Sequence, residues 1–176
     1  MLLVNQLNGF GVGGGAASYQ TPSYANTGGT GDRTGFITVT SGITPSSGTI
    51  NNSIDGATAL NGTDSIIFPN ASWVGLSILR FDWGVGVKVL ITEMRMVGQT
   101  AGFNSGTFKF RASDDASSWT DYGAAVTWLS DAGPNVYTEL STNVTGYRYY
   151  ELYGVTGNSN NNVWCAEWEF KIGNAI

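Results

Sequence analysis

The chain has 176 residues, enough for one all-β domain with a core of its own. Only 12% of residues are charged, the net charge is −5, and the eight Lys and Arg form no basic run, which excludes a nucleic-acid partner and an anionic membrane surface. No apolar stretch approaches the roughly 20 residues of a membrane-spanning helix, so membrane insertion is not expected.

The opening Met1-Leu2-Leu3-Val4-Asn5-Gln6-Leu7-Asn8-Gly9-Phe10 has no basic n-region, and its apolar run is far shorter than the roughly 7–15 residues of a signal peptide. A soluble product made in the cytoplasm is expected. Gly11-Val12-Gly13-Gly14-Gly15 is too glycine-rich for a helix and too poor in side chains for a core strand. Residues 1–30 therefore read as an extended arm ahead of a domain over residues 31–176. Leu2, Leu3, Leu7 and Phe10 give that arm something to bury against a neighbouring subunit; the alternative is a floppy terminus.

From Gly35 onward, short apolar or alternating runs are separated by Gly, Asn, Ser and Asp. Phe36–Thr40 and Ile66–Phe68 read as short strands, and Leu79, Phe81 and Trp83 alternate with Arg80 and Asp82 at the period of a half-buried strand. Val87–Val97 is longer, and its β-branched start favours strand over helix. Phe108, Phe110 and Ala112 alternate with Lys109 and Arg111, and Ser113–Ser118 reads as a turn. Val126–Leu129, Val136–Leu140, Tyr147–Tyr153 and Trp164–Ile172 complete the set, with Gly157–Asn162 as a polar loop. Seven or more short strands without a helical period indicate a sandwich or barrel.

The chain contains no His, so the commonest general base and metal ligand is missing and Ser-His-Asp catalysis is excluded. Cys165 stands alone and reads as a small buried side chain in a strand. The acids sit in turns (Asp114, Asp115, Asp131) or on alternating strand faces (Glu93, Glu151, Glu169), where carboxylates are usually solvated. No enzymatic activity is expected.

Leu79-Arg80-Phe81-Asp82-Trp83-Gly84, followed by Val87–Gly98 and then Phe108–Thr120 with its Ser113-Asp114-Asp115-Ala116 turn and Trp119-Thr120, resembles the discoidin (coagulation-factor C-type) pattern. Tyr147–Leu152, Cys165–Phe170 and Ser53-Ile54-Asp55-Gly56 resemble that family's closing strands and its early Asp-Gly loop. The resemblance covers roughly residues 45–173. It implies an all-β, galactose-binding-like jelly-roll sandwich, a fold used for binding glycans, lipids or protein surfaces. Ala116 stands where the family usually has Gly.

The resemblance also implies a structural calcium between Asp55 and Glu167, with Thr58 as a further ligand; the alternative is that both acids accept local hydrogen bonds. Glycan recognition in such folds uses an exposed aromatic platform flanked by Arg, Asn or Glu. Trp73, Trp128 and Trp164, in or beside loop-like stretches, are the candidate platforms, with packing as the alternative role for each, whereas Trp83, Trp119 and Trp168 read as core.

Two functions are expected from these features. The first is a virion structural protein of a tailed phage (tail, fibre, collar or head-decoration component), with other virion proteins, copies of itself and a host-surface glycan as partners. It draws on the arm, the charge-poor surface and an opening similar to that of small phage structural proteins. The alternative is a carbohydrate-binding module recognising cell-surface glycans.

Overall fold

Polar and apolar residues alternate through most of the second half of the chain, and the strands follow that alternation. The computed structural model describes residues 18–61, 63–97, 106–128, 134–158 and 163–173. It contains β1 (Thr38–Thr40), β2 (Ile66–Phe68), β3 (Ser77–Asp82), β4 (Leu90–Val97), β5 (Thr107–Ser113), β6 (Thr120–Thr127), β7 (Asn135–Tyr137), β8 (Tyr149–Thr156), β9 (Val163–Cys165) and β10 (Glu167–Gly173). Short 3-10 turns cover Ile50–Ser53 and Glu139–Thr142. The strands form a five-stranded sheet in the order β1-β3-β8-β5-β6, a three-stranded sheet β10-β4-β7 and a two-stranded ladder β2-β9. Every pairing is antiparallel.

Several boundaries shift by two or three residues from the expectation, and three runs differ more deeply. The run Trp164–Ile172 divides at Ala166, with β9 pairing β2 and β10 pairing β4. Val126–Leu129 is only the end of a longer strand that begins at Thr120, whose small, polar residues carry little apolar signal. Val136–Leu140 gives β7 and then turns into the 3-10 segment at Glu139.

The two larger sheets pack face to face through aromatic rings. Phe81 meets Phe170 edge-on at 5.0 Å, Phe108 meets Tyr137 at 5.5 Å, and Phe110 meets Trp168 at 6.4 Å. These edge-to-face contacts add to the burial of large apolar area. Trp83 and Trp168 are buried, as expected, and so is the free thiol of Cys165.

Residues 23–29 run along the edge of the three-stranded sheet. Ser23 bridges Ile172, the Phe170 amide donates to the Gly29 carbonyl, and Tyr24 stacks on the Arg95 guanidinium at 4.1 Å. The described end of the expected arm is thus bonded to the edge of β10. Leu2, Leu3, Leu7 and Phe10 lie outside the described residues.

The β5–β6 turn is held by its own side chains. Ser113 Oγ accepts from the Asp115 and Ala116 amides, and Asp115 Oδ1 accepts from those of Ser117 and Ser118. These bonds keep the Asp115 carboxyl well below the usual carboxylate range. Ala116 itself has φ 57°, in the left-handed region. That conformation costs a residue with a Cβ roughly 1–2 kcal/mol, whereas the extra freedom of Gly in the unfolded chain costs about 0.4–1 kcal/mol. Ala116→Gly is therefore expected to raise stability by roughly 0.5 kcal/mol, seen as a higher urea midpoint at unchanged slope. A lower midpoint would show that the turn carries no strain at this residue.

Candidate functional site

On the five-stranded sheet, β3, β5 and β8 send Leu79, Phe81, Phe108, Phe110, Tyr150 and Leu152 into the core. Period-two alternation sends Arg80, Lys109, Arg111, Glu151 and Tyr153 to the opposite face. The register then places Thr40, Arg80, Glu151, Arg111 and Asp121 in one row across all five strands.

Glu151 lies at the centre of that row and is fully buried, which corrects its expected solvated state. Arg80 Nε donates to one carboxylate oxygen at 2.8 Å and Arg111 Nε to the other at 2.9 Å, with Arg111 Nη2 also on that second oxygen. Burying a carboxylate without such partners would be costly, and here two guanidiniums supply them. Glu169 is likewise buried, paired to Arg95.

Above this row lie two aromatic rings. Trp119 precedes Asp121 by two residues and so faces the same way. Its ring covers the guanidiniums of Arg80 at 4.9 Å and Arg111 at 5.0 Å. Tyr153 lies 3.5 Å from the Arg111 guanidinium carbon. Both rings are half-buried, so each keeps exposed area. The turn at Ser113–Ser118 does lay Trp119 back over the sandwich, but on its outer surface and not in the core expected from its place in the motif.

Beside Tyr153 opens a cavity of about 250 Å³, walled by Val74, Gly75, Lys109, Arg111 and Asp121. Lys109 Nζ reaches Asp121 at 2.9 Å in an exposed pair. The neighbouring row holds Arg148, which grips Asp82 through two hydrogen bonds and keeps its carboxyl below the ordinary range, while stacking on Tyr149 at 4.6 Å. The face therefore combines aromatic surface, oriented donors and a concave opening.

The tryptophans named from the sequence fall elsewhere. Trp73 and Trp128 are 1% and 4% exposed and stack at 6.1 Å within the core, so neither offers a platform. Trp73 Nε1 donates to the Thr156 carbonyl, and a Cβ on Gly106 or Gly154 would collide with Trp73 itself. Trp73 and Trp128 stand outside the strands, where sequence alone gives no inward direction. Trp164 is half-buried in β9 opposite Ile67. Arg80, Arg111 and Glu151 could have been found as the polar positions of strands whose apolar positions were read correctly.

The residues implied for calcium do not fit a cation. Glu167 is buried and paired with the buried Arg33 guanidinium, and its other oxygen accepts from the Gly56 amide at 3.1 Å. Asp55 accepts from the Ala57 amide at 2.9 Å and from Asn52 Nδ2 at 3.2 Å, while Thr58 is exposed. Among the described residues no group of three or more His, Cys, Asp or Glu could hold a metal. A permanent positive charge and the Gly56 amide already serve Glu167, and the Ala57 amide serves Asp55, which is the arrangement of the local hydrogen-bonding alternative.

No family model matches the chain, and no curated protein matches it. Solved structures do. The family 32 carbohydrate-binding module of AlyQ, in complex with 4,5-unsaturated mannuronic acid, aligns at a TM-score of 0.53 and 19% identity over 77% of this chain and 94% of that one. The family 32 module of Clostridium perfringens NanJ, in complex with galactose, aligns at 0.54 and 16% identity over 76% and 92%. A module from Clostridium perfringens in complex with GalNAc-β-1,3-galactose aligns at 0.55 and 13% identity over 77% and 95%. The chain thus has the jelly-roll, galactose-binding-like β-sandwich fold expected from its motifs. Each of these three modules was solved with a sugar bound, and at these identities the likeness is one of fold.

Proposed function

We propose that this chain is a glycan-binding domain that acts by adsorption and not by catalysis, with the outer face of its five-stranded sheet as the binding surface. The observation that carries the reading is the half-exposed Trp119 ring set over Arg80 and Arg111, with Tyr153 and an open cavity of about 250 Å³ alongside. A pyranose presents an apolar face that stacks on an aromatic ring, while its hydroxyls take fixed polar groups at the rim. Arg111, held between the two rings and bonded to Glu151, needs little ordering on binding. The absence of His supports a binding role over an acid–base one. The sugars bound by the proteins of similar fold support the same reading.

The test is a printed array of neutral and acidic glycans, followed by calorimetric titration with the strongest binder. Trp119→Ala is expected to weaken that affinity at least about tenfold, as truncation of a central aromatic anchor does. Trp164→Ala, in the separate β2–β9 ladder, is expected to leave it unchanged. An array without a binder, or the reverse ranking of the two variants, would overturn the assignment.

A further inference from the structure

The wall of this site carries an excess of hydrogen-bond donors. Arg80 and Arg111 share the single carboxylate of Glu151, and Lys109 is balanced by Asp121. Three cations against two carboxylates leave the wall one unit positive, in a chain whose net charge is −5. Arg80 reaches Glu151 through Nε, and Arg111 through Nε and Nη2. Among the described residues no acceptor is bonded to either Nη of Arg80 or to Nη1 of Arg111. The two arginine side chains remain 30% and 17% exposed, whereas Glu151 is fully buried beneath them.

A neutral sugar calls on acceptors as well as donors. Here the Glu151 oxygens are buried and saturated, and Asp121 is engaged by Lys109. What the site offers in surplus is cationic N–H. A planar carboxylate is the group that matches a guanidinium fork, and the stacking of Arg111 on Tyr153 holds that fork in place. A pyranose seated in the cavity beside Tyr153, at the edge of Trp119, would bring a carboxylate on its ring within reach of Arg111 and Lys109, which line that cavity.

We infer that the Trp119–Arg111–Tyr153 surface takes an acidic saccharide, one whose ring bears a carboxylate as in a uronic-acid unit, with Arg111, Arg80 and Lys109 as its donors. This inference rests on the glycan-binding reading. It is tested by titrating the full chain with a panel of uronic-acid oligosaccharides, with their carboxyl-reduced neutral counterparts and with sulfated neutral oligosaccharides, at low and high NaCl.

The acidic form is expected to bind at least about tenfold more tightly than its reduced counterpart, the margin of one charge-assisted hydrogen bond. That gap should narrow at high salt as the charges are screened. Equal affinity for acidic and reduced forms overturns this inference and leaves the glycan reading standing. Binding of the sulfated sugars alone overturns the carboxylate assignment. No binding by any of the three, with an empty array, overturns both readings together.

Two variants locate the contact. Arg111→Lys keeps a cation beside Glu151 but loses the fork, and is expected to weaken the acidic ligand about tenfold while changing the neutral one little. Lys109→Gln leaves Glu151 untouched and is expected to weaken the acidic ligand by a smaller factor. Thermal melts confirm that both variants fold. Unchanged affinity for the acidic ligand in both variants removes the site.

Discussion

Arg33→Met is expected to destabilise the fold by about 3–5 kcal/mol, because it strands the buried Glu167 carboxylate without its partner. For a chain of this length that corresponds to a fall in melting temperature of roughly 6–20 °C. Arg33 is 0% exposed, and three bonds tie it in: its amide donates to the Ile54 carbonyl at 2.9 Å, Nη1 to the Gly29 carbonyl at 2.8 Å, and Nη2 pairs with Glu167. Its guanidinium also lies 5.2 Å from the Phe170 ring centre. Burial lowers its pKa to about 10, still well above neutrality, so the guanidinium keeps its charge at pH 7.

The double variant Arg33→Met, Glu167→Gln is expected to recover much of the loss, since it removes the buried charge and leaves an acceptor for the Gly56 amide. A chelator is expected to leave the wild-type melting temperature unchanged, and added calcium likewise. A rise of several degrees with calcium would show that a cation binds at Asp55 and Glu167 after all. A single variant as stable as wild type would remove Arg33 from its proposed structural role.

Trp73→Ala is expected to cost about 3–5 kcal/mol, the range for deleting a large aromatic side chain from a core. The ring is 1% exposed, stacks on Trp128 at 6.1 Å, and bonds the Thr156 carbonyl through Nε1 at 2.7 Å. Its removal leaves both a cavity and an unpaired carbonyl. The measurement is a urea unfolding curve beside a glycan titration on the folded fraction. A platform residue would show the opposite pattern, with lost affinity at unchanged stability. Trp119→Ala should follow that second pattern, so the two variants together separate core from surface.

Much of this fold could be read from alternation. Leu79, Phe81, Phe108, Phe110 and Phe170 stand at every second position of their strands, and each points into the core. The Ser113–Ser118 turn was equally legible, since Ser and Asp at those positions offer acceptors to the following amides. β6 was the strand least visible, because Thr120–Thr127 presents small and polar side chains at the sheet edge.

The candidate site was legible only in pieces. The sequence shows Arg80, Arg111 and Glu151 as polar members of three separate strands, tens of residues apart. Nothing in period-two patterning says which strands will be neighbours, and only the order β3-β8-β5 brings the three side chains into one row. The same gap explains Glu167, whose partner Arg33 comes from a segment with no strand signal at all.

The sequence by itself determined the all-β class of fold, most of its strands and the exclusion of histidine-based chemistry, because alternation and composition are local properties of the chain. Only the tertiary structure decided that Trp119 and not Trp73 offers an exposed ring, that Glu151 is a buried counter-ion, and that a guanidinium serves the acid assigned to calcium. Those three outcomes depend on which strands lie side by side, and strand adjacency is set by packing across the whole domain.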